Sequence, residues 1–354
     1  MYRLKFVIGA TLALIICVTA AEAQNAHQVQ EIVFETSGGA RLAGTLTLPG
    51  VDGPHPAALI ISASGPHVRN EARHGGRHWA ELAARLADVG LATLRCDARG
   101  VEGSASEAIP AWEYEWTPAE LADDSRAALK ALRDQAQIDP ARIGLIAFSD
   151  GVPRAAMIAS DASNDVAFTV LLSASGVSAG ENLRAQTVGQ AKQMGKDETQ
   201  LDRIDELMTQ VIESLIEGAD REDTLEVADS LLEAMDVPAE QRRAVAENIV
   251  DNLSSRGARA YLALDPSTIL AGVACPVLSI NGGADNRTAS PDSLPTLLKA
   301  LDSASRTDVS FVTFGGLNHF LEPPEPLDPP VFDRSVTTTI IVWLRLIDIV
   351  QERP

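Results

Sequence analysis

Short strand-like runs alternate along this chain with stretches of helical period, and that alternation limits the fold more than any other feature. Glu31–Thr36 and Arg41–Leu48 read as two strands of a hairpin, joined through Ser37, Gly38 and Gly39. Ala57–Ser62 is a continuous apolar run, as expected of a strand covered on both faces. A helical pattern at His78–Val89 stops at Gly90, and Leu91–Cys96 is apolar again. Pro118–Gln137 has helical period, Arg142–Phe148 reads as a strand, Gly151–Ser160 as a helix and Val166–Ser173 as a strand. Later the order resumes with strand Pro276–Asn281, helix Ser293–Leu301, strand Val309–Phe314 and helix Ser335–Val350. Such alternation calls for an α/β architecture with a doubly wound, mostly parallel sheet.

Between about 180 and 260 no strand pattern occurs. Leu201–Ile216 instead carries Ile204, Leu207, Met208, Val211 and Leu215 on one helical face. Thr224–Met235 and Glu240–Leu253 repeat the pattern, without the fixed period of a solenoid. The expected organisation is a sheet core in two parts, 24–180 and 261–354, with a helical cap inserted at 181–260. An independent helical interaction module is the other reading of that segment.

The first residues have a different character. Arg3 and Lys5 precede an apolar run from Phe6 to Val18, and Ala21-Glu22-Ala23 offers an A-x-A cleavage site. That order is expected of a secretory signal peptide spanning 1–23, and the run is short for a spanning helix. The sequence therefore predicts a periplasmic or secreted protein with no stable membrane insertion after cleavage; an uncleaved anchor is the alternative. Asp and Glu total 49 against 29 Lys and Arg, a formal charge of −20, which disfavours phosphate backbones and hence nucleic-acid partners. The sequence leaves the oligomeric state open. Cys96 and Cys275 fall on strands expected to lie several positions apart, so no disulfide is predicted.

The residues able to do chemistry sit where strands end. Arg142–Phe148 runs into Ser149-Asp150-Gly151 and then a helix, the strand–serine–tight turn–helix arrangement of a nucleophile elbow. The pattern reads Ala147-Phe148-Ser149-Asp150-Gly151, with alanine where glycine is usual. Pro276–Asn281 is followed by Asp285, and Val309–Phe314 by His319, each in the loop just past a strand. Serine, aspartate and histidine in that chain order match the α/β-hydrolase order of a Ser–Asp–His triad.

On these motifs the sequence resembles the α/β-hydrolase superfamily, near its bacterial esterase and serine-aminopeptidase-like (dienelactone-hydrolase-related) branch. The Ser64-Gly65-Pro66 loop, the Asp97–Gly100 turn, Ile143–Ile146 before the elbow, Tyr261–Pro266 and the loops bearing Asp285 and His319 carry the resemblance. It implies ester or related acyl hydrolysis of a small molecule, without metal or cofactor. Peptidase, thioesterase and lactone-hydrolase chemistry remain alternatives within the same mechanism, and a degenerate binding module is the reading outside it. The resemblance makes Ser149 the nucleophile, His319 the base, and Asp285 the residue holding the imidazole tautomer. It assigns the oxyanion to the backbone N–H groups of Asp150 and Ser64. Gly65 would let the backbone approach substrate, and Phe148, where histidine is common, would shape the acyl pocket. Trp112 and Trp116, after the fourth strand, are expected as a pocket wall or as packing against the cap. His67, Arg69, His74 and His78 lack carboxylates or cysteines at ligand spacing, so no metal site is expected there.

Overall fold

Strands buried on both faces need apolar side chains at every position, and β3 (His55–Ile61) is buried throughout in the computed structural model. The structure describes residues 27–63, 65–73, 75–105, 115–288, 290–302, 308–325 and 327–351. The expected signal segment 1–23 lies outside them. Chain order runs β1 (Gln28–Glu35), β2 (Arg41–Leu48), β3, α1 (His78–Asp88), β4 (Ala92–Cys96), α2 (Pro118–Arg133), β5 (Ile138–Phe148), α3 (Gly151–Ala159) and β6 (Thr169–Leu172). Six helices follow: α4 (Ala179–Gln193), α5 (Glu198–Glu217), α6 (Arg221–Ala234), α7 (Ala239–Leu253), α8 (Arg256–Ala263) and α9 (Pro266–Leu270). The series closes with β7 (Val277–Gly282), α10 (Ser293–Asp302), β8 (Val309–Phe314) and α11 (Arg334–Leu346).

One eight-stranded sheet has the order β1-β2-β4-β3-β5-β6-β7-β8. β1 and β2 pair antiparallel, as do β2 and β4, and every later pairing is parallel. Apolar clusters cover both faces. One contains Leu59, Leu145, Val152 and Leu171, the other Trp79, Ile146, Phe148 and Ile340. Cys96 at the end of β4 and Cys275 before β7 are separated by β3, β5 and β6, and no disulfide joins them.

The structure departs from the sequence reading in instructive places. β5 starts at Ile138, because His55 pairs with it across a bulge before the regular ladder begins at Ala57 and Ile143. β6 stops at Leu172, where Ser173 takes a left-handed conformation (φ 50°). α4 had no helical signature because it has no apolar stripe; its buried positions are Gly180, Asn182 and Ala191. The stripe on α5 is buried as expected, within a third cluster shared with Leu225, Leu231 and Val250 of α6 and α7. Thus the helices between β6 and β7 bury apolar surface among themselves.

Gly144 shows how tightly β5 is packed. A Cβ there would lie 2.5 Å from the ring of Phe168. Gly144→Ala is therefore expected to destabilise the fold by about 1–3 kcal/mol through overpacking. Urea unfolding would check this; an unchanged midpoint would contradict the packing.

Candidate active site

The polypeptide makes its sharpest turn where β5 meets α3. Ser149 adopts φ 51°, a left-handed conformation that costs a non-glycine residue about 1–3 kcal/mol. Its N–H donates to the carbonyl of Leu172, and its own carbonyl accepts from Val152 N–H at 2.9 Å. Gly151 makes the turn possible, since a Cβ there would stand 2.6 Å from the carbonyls of Ile61 and Ser62. Alanine is tolerated at position 147, which is fully buried between β3 and β6. Turned this way, Ser149 Oγ lies 2.9 Å from His319 Nε2.

His319 Nδ1 lies 2.8 Å from Asp285 Oδ2. A carboxylate only accepts, so Nδ1 carries the proton and Nε2 is free to accept from the serine hydroxyl. The other carboxylate oxygen, Oδ1, accepts the N–H groups of Arg287 and Thr288 at 2.8 and 3.1 Å. Burial opposes ionisation of Asp285. The hydrogen bond and charge of His319, with the two N–H groups, overcome it and hold the carboxyl below the usual carboxylate range. The sequence-read residues Ser149, Asp285 and His319 are thus brought into one hydrogen-bonded chain.

The imidazole is braced on several sides. Ser173 Oγ donates to the carbonyl of His319 at 2.6 Å. Phe148 lies beneath the ring, with centroids 5.3 Å apart, and itself packs on Trp79, Phe320 and Phe332. Glu322 organises the rest of the loop: it accepts from Arg73 Nε at 2.7 Å and exchanges backbone and side-chain hydrogen bonds with Asn318. It also lies 2.9 Å from His78 Nε2. Glu322 was not legible in the sequence, because Arg73 and His78, which it joins to the loop, lie far away along the chain.

A cavity of about 640 Å³ opens beside Ser149 and His319. Asp150, Asn182, Gln186, Tyr261, Arg287 and Thr288 form much of its polar wall. The substrate-contact expectations need correcting here. Phe148 is buried beneath the imidazole and does not line this cavity. Gly65 (φ 120°) borders a separate hollow of about 70 Å³ with Asp97, Arg99 and Arg154. Trp116 packs under the Arg99 guanidinium, whose carbon lies 4.3 Å from the ring centre, and lines a hollow with the β1–β2 turn and not the cavity beside Ser149. Its position is set by Arg99, which is itself paired with Asp124. Ser64 and Trp112 lie outside the described residues, as does His74.

Asp150 is the first residue after the serine, and among the described residues its N–H has no acceptor. Tyr261 of α8 donates its hydroxyl to the Asp150 carbonyl, tying the helices between β6 and β7 to the elbow. Arg154 donates to the carbonyl of Ser62, fastening the end of β3 to α3. Sequence reasoning missed Asn182 and Gln186 because α4 has no amphipathic pattern. Arg287 and Thr288 could have been found as immediate neighbours of Asp285. Among the described residues no three His, Cys, Asp or Glu side chains are gathered as in a metal site, and no helix is long and apolar enough to cross a membrane.

No family model and no curated protein sequence matches this chain. Solved structures do. A dipeptidyl aminopeptidase IV-like protein from Bacteroides ovatus superposes with a TM-score of 0.55 at 12% identity, over 92% of this chain and 36% of that one. This chain therefore spans about a third of that protein's length. The Pyrococcus furiosus esterase gives 0.53 at 12% identity, covering 91% and 90%. The α/β hydrolase GrgF from Penicillium gives 0.51 at 15%, covering 91% and 97%. This is the α/β-hydrolase fold. In that fold, loops at the carboxyl ends of the strands hold the chemistry, and here Ser149, Asp285 and His319 follow β5, β7 and β8.

The His78–Glu322 contact makes a pH prediction. Burial is the largest influence on His78 and lowers its pKa, although Glu322 pulls the other way. With the folded pKa below the unfolded one, its stabilising effect is present above the unfolded pKa and is lost as pH falls. Wild type should lose stability between pH 7.5 and 5.5, and His78→Asn should lose less over the same interval. Urea midpoints at the two pH values would check this; equal losses would contradict it.

Proposed function

We propose that this chain is a serine hydrolase that cleaves carboxylic esters through an acyl-enzyme. The observation that carries the reading is the continuous hydrogen-bonded chain from Ser149 Oγ through His319 to Asp285. In the first half-reaction Ser149 Oγ attacks the acyl carbon as His319 Nε2 takes its proton. Collapse of the tetrahedral intermediate breaks the C–O bond, and the imidazolium gives that proton to the departing alcohol. Water then attacks the acyl-serine with His319 again as base, releasing the carboxylic acid and restoring the hydroxyl. Asp285 stays ionised and stabilises the imidazolium, consistent with its lowered pKa.

The developing oxyanion would be met by the Asp150 N–H at the start of α3, where the helix dipole also favours negative charge. Ser64 is proposed as the second donor, a reading supported by the Arg154 tie that fixes Ser62 at the preceding strand end. Residues 181–260 are proposed as a cap over the sheet, a reading supported by Asn182 and Gln186 in the cavity wall and by the neighbouring Tyr261. The signal-like residues 1–23 support action in the periplasm or outside the cell. The named neighbours include both a peptidase and an esterase, so the fold alone does not choose the bond cleaved. Ester cleavage is favoured as the less demanding acyl transfer for the same three residues.

Hydrolysis of p-nitrophenyl esters of graded chain length tests the proposal. Wild type is expected to turn over the short esters, and Ser149→Ala to fall to background. Asp285→Asn should lower kcat on the order of ten-thousandfold by favouring the wrong imidazole tautomer. Equal rates in wild type and Ser149→Ala would refute the mechanism.

A further inference from the structure

One titratable group in the cavity wall has no part in the proton relay. Asp150 follows the nucleophile directly, and its backbone carbonyl is taken by Tyr261. Its side chain does not cap α3, and among the described residues it makes no hydrogen bond or ion pair. None of the charged groups around it bonds to it. Arg154, one turn along α3, donates to the Ser62 carbonyl, and Arg287 lies over the Phe320 ring at 5.2 Å. His319 is held by Asp285. Burial pushes the Asp150 carboxyl above the usual range, and Arg154, His319 and Arg287 offset this only from a distance. Half-buried in the cavity wall and without a partner, that carboxyl is open to a cation carried by the substrate.

We infer that Asp150 accepts an ammonium group carried on the acyl part of the substrate, so that the preferred substrates are esters of amino acids with a free amino group. This rests on the ester-hydrolase reading above and names its substrate class. Position decides which part of the substrate is read. Ser149 and Asp150 line the same cavity, so the recognised group belongs to the part of the substrate held beside the nucleophile. Charge decides its nature. A charge-assisted bond is roughly twice as strong as a neutral one, and the chain's formal charge of −20 attracts cations. The rest of the wall, with Asn182, Gln186 and Thr288, suits a small polar acyl group better than an alkyl chain.

The test compares benzyl esters of L-alanine, N-acetyl-L-alanine and propionic acid, with the full chain at pH 7. Wild type is expected to show at least tenfold higher kcat/KM for the alanine ester than for either of the others. Asp150→Asn should shrink that ratio by tenfold or more, with the propionate ester as internal reference for any general loss, and Asp150→Glu should keep part of it. Calorimetric binding of L-alaninamide against propionamide, on wild type and Ser149→Ala, reads the subsite without turnover or an Asp150 variant. Tighter binding of L-alaninamide to both proteins is the expected result. Equal kcat/KM for the three esters, an unchanged ratio in Asp150→Asn, or equal binding of the two amides would overturn the inference. Preferred binding of L-alaninamide with no ester hydrolysis would instead keep the subsite and sink the ester-hydrolase reading.

Discussion

The left-handed turn at Ser149 is the constraint on which the rest of the site depends. A residue with a side chain is held there only if its surroundings fix it. Those surroundings are the Leu172 carbonyl on one side and the close approach of Gly151 to the ends of β3 on the other. The turn raises the hydroxyl toward His319 and starts α3 immediately behind it. Because β5 is central in the sheet, with β3 and β6 on its flanks, the turn cannot relax without disturbing both neighbours.

The second half of the site is held by longer-range ties. Asp285 and His319 come from adjacent strands, β7 and β8, yet β8 is an edge strand, three positions from β5. Its loop must reach back across β7 and β6. Ser173 on the His319 carbonyl, the Phe148 cluster beneath the ring, and Glu322 with Arg73 and His78 fix that reach. Together these ties hold the imidazole at hydrogen-bonding distance from both neighbours, which acyl transfer requires.

Strand runs, the elbow and the order of Ser149, Asp285 and His319 were legible in the sequence because each depends on local pattern: continuous apolar strands, a small-residue turn, a polar residue just past a strand end. The pocket was not legible. Phe148 looked like a pocket residue by its place beside the serine, but strand alternation turns it to the opposite side, under the imidazole. Trp116 is apolar enough for a pocket wall, yet the Arg99–Asp124 pair fixes it elsewhere. Asn182, Gln186 and Tyr261 enter the cavity from helices whose packing joins residues distant in sequence, and no period in the chain announces that. The helical stripe on α5 was visible for the converse reason, since its partners lie on the neighbouring helices α6 and α7.

The central claim is that Ser149 is a nucleophile activated by His319. Its most direct measurement is mass spectrometry of the protein after reaction with a fluorophosphonate, which needs no knowledge of the natural substrate. The account predicts a single adduct on the tryptic peptide 143–154, at Ser149, formed much more slowly in His319→Ala. An adduct on another residue, or labelling at the same rate without the imidazole, would contradict it.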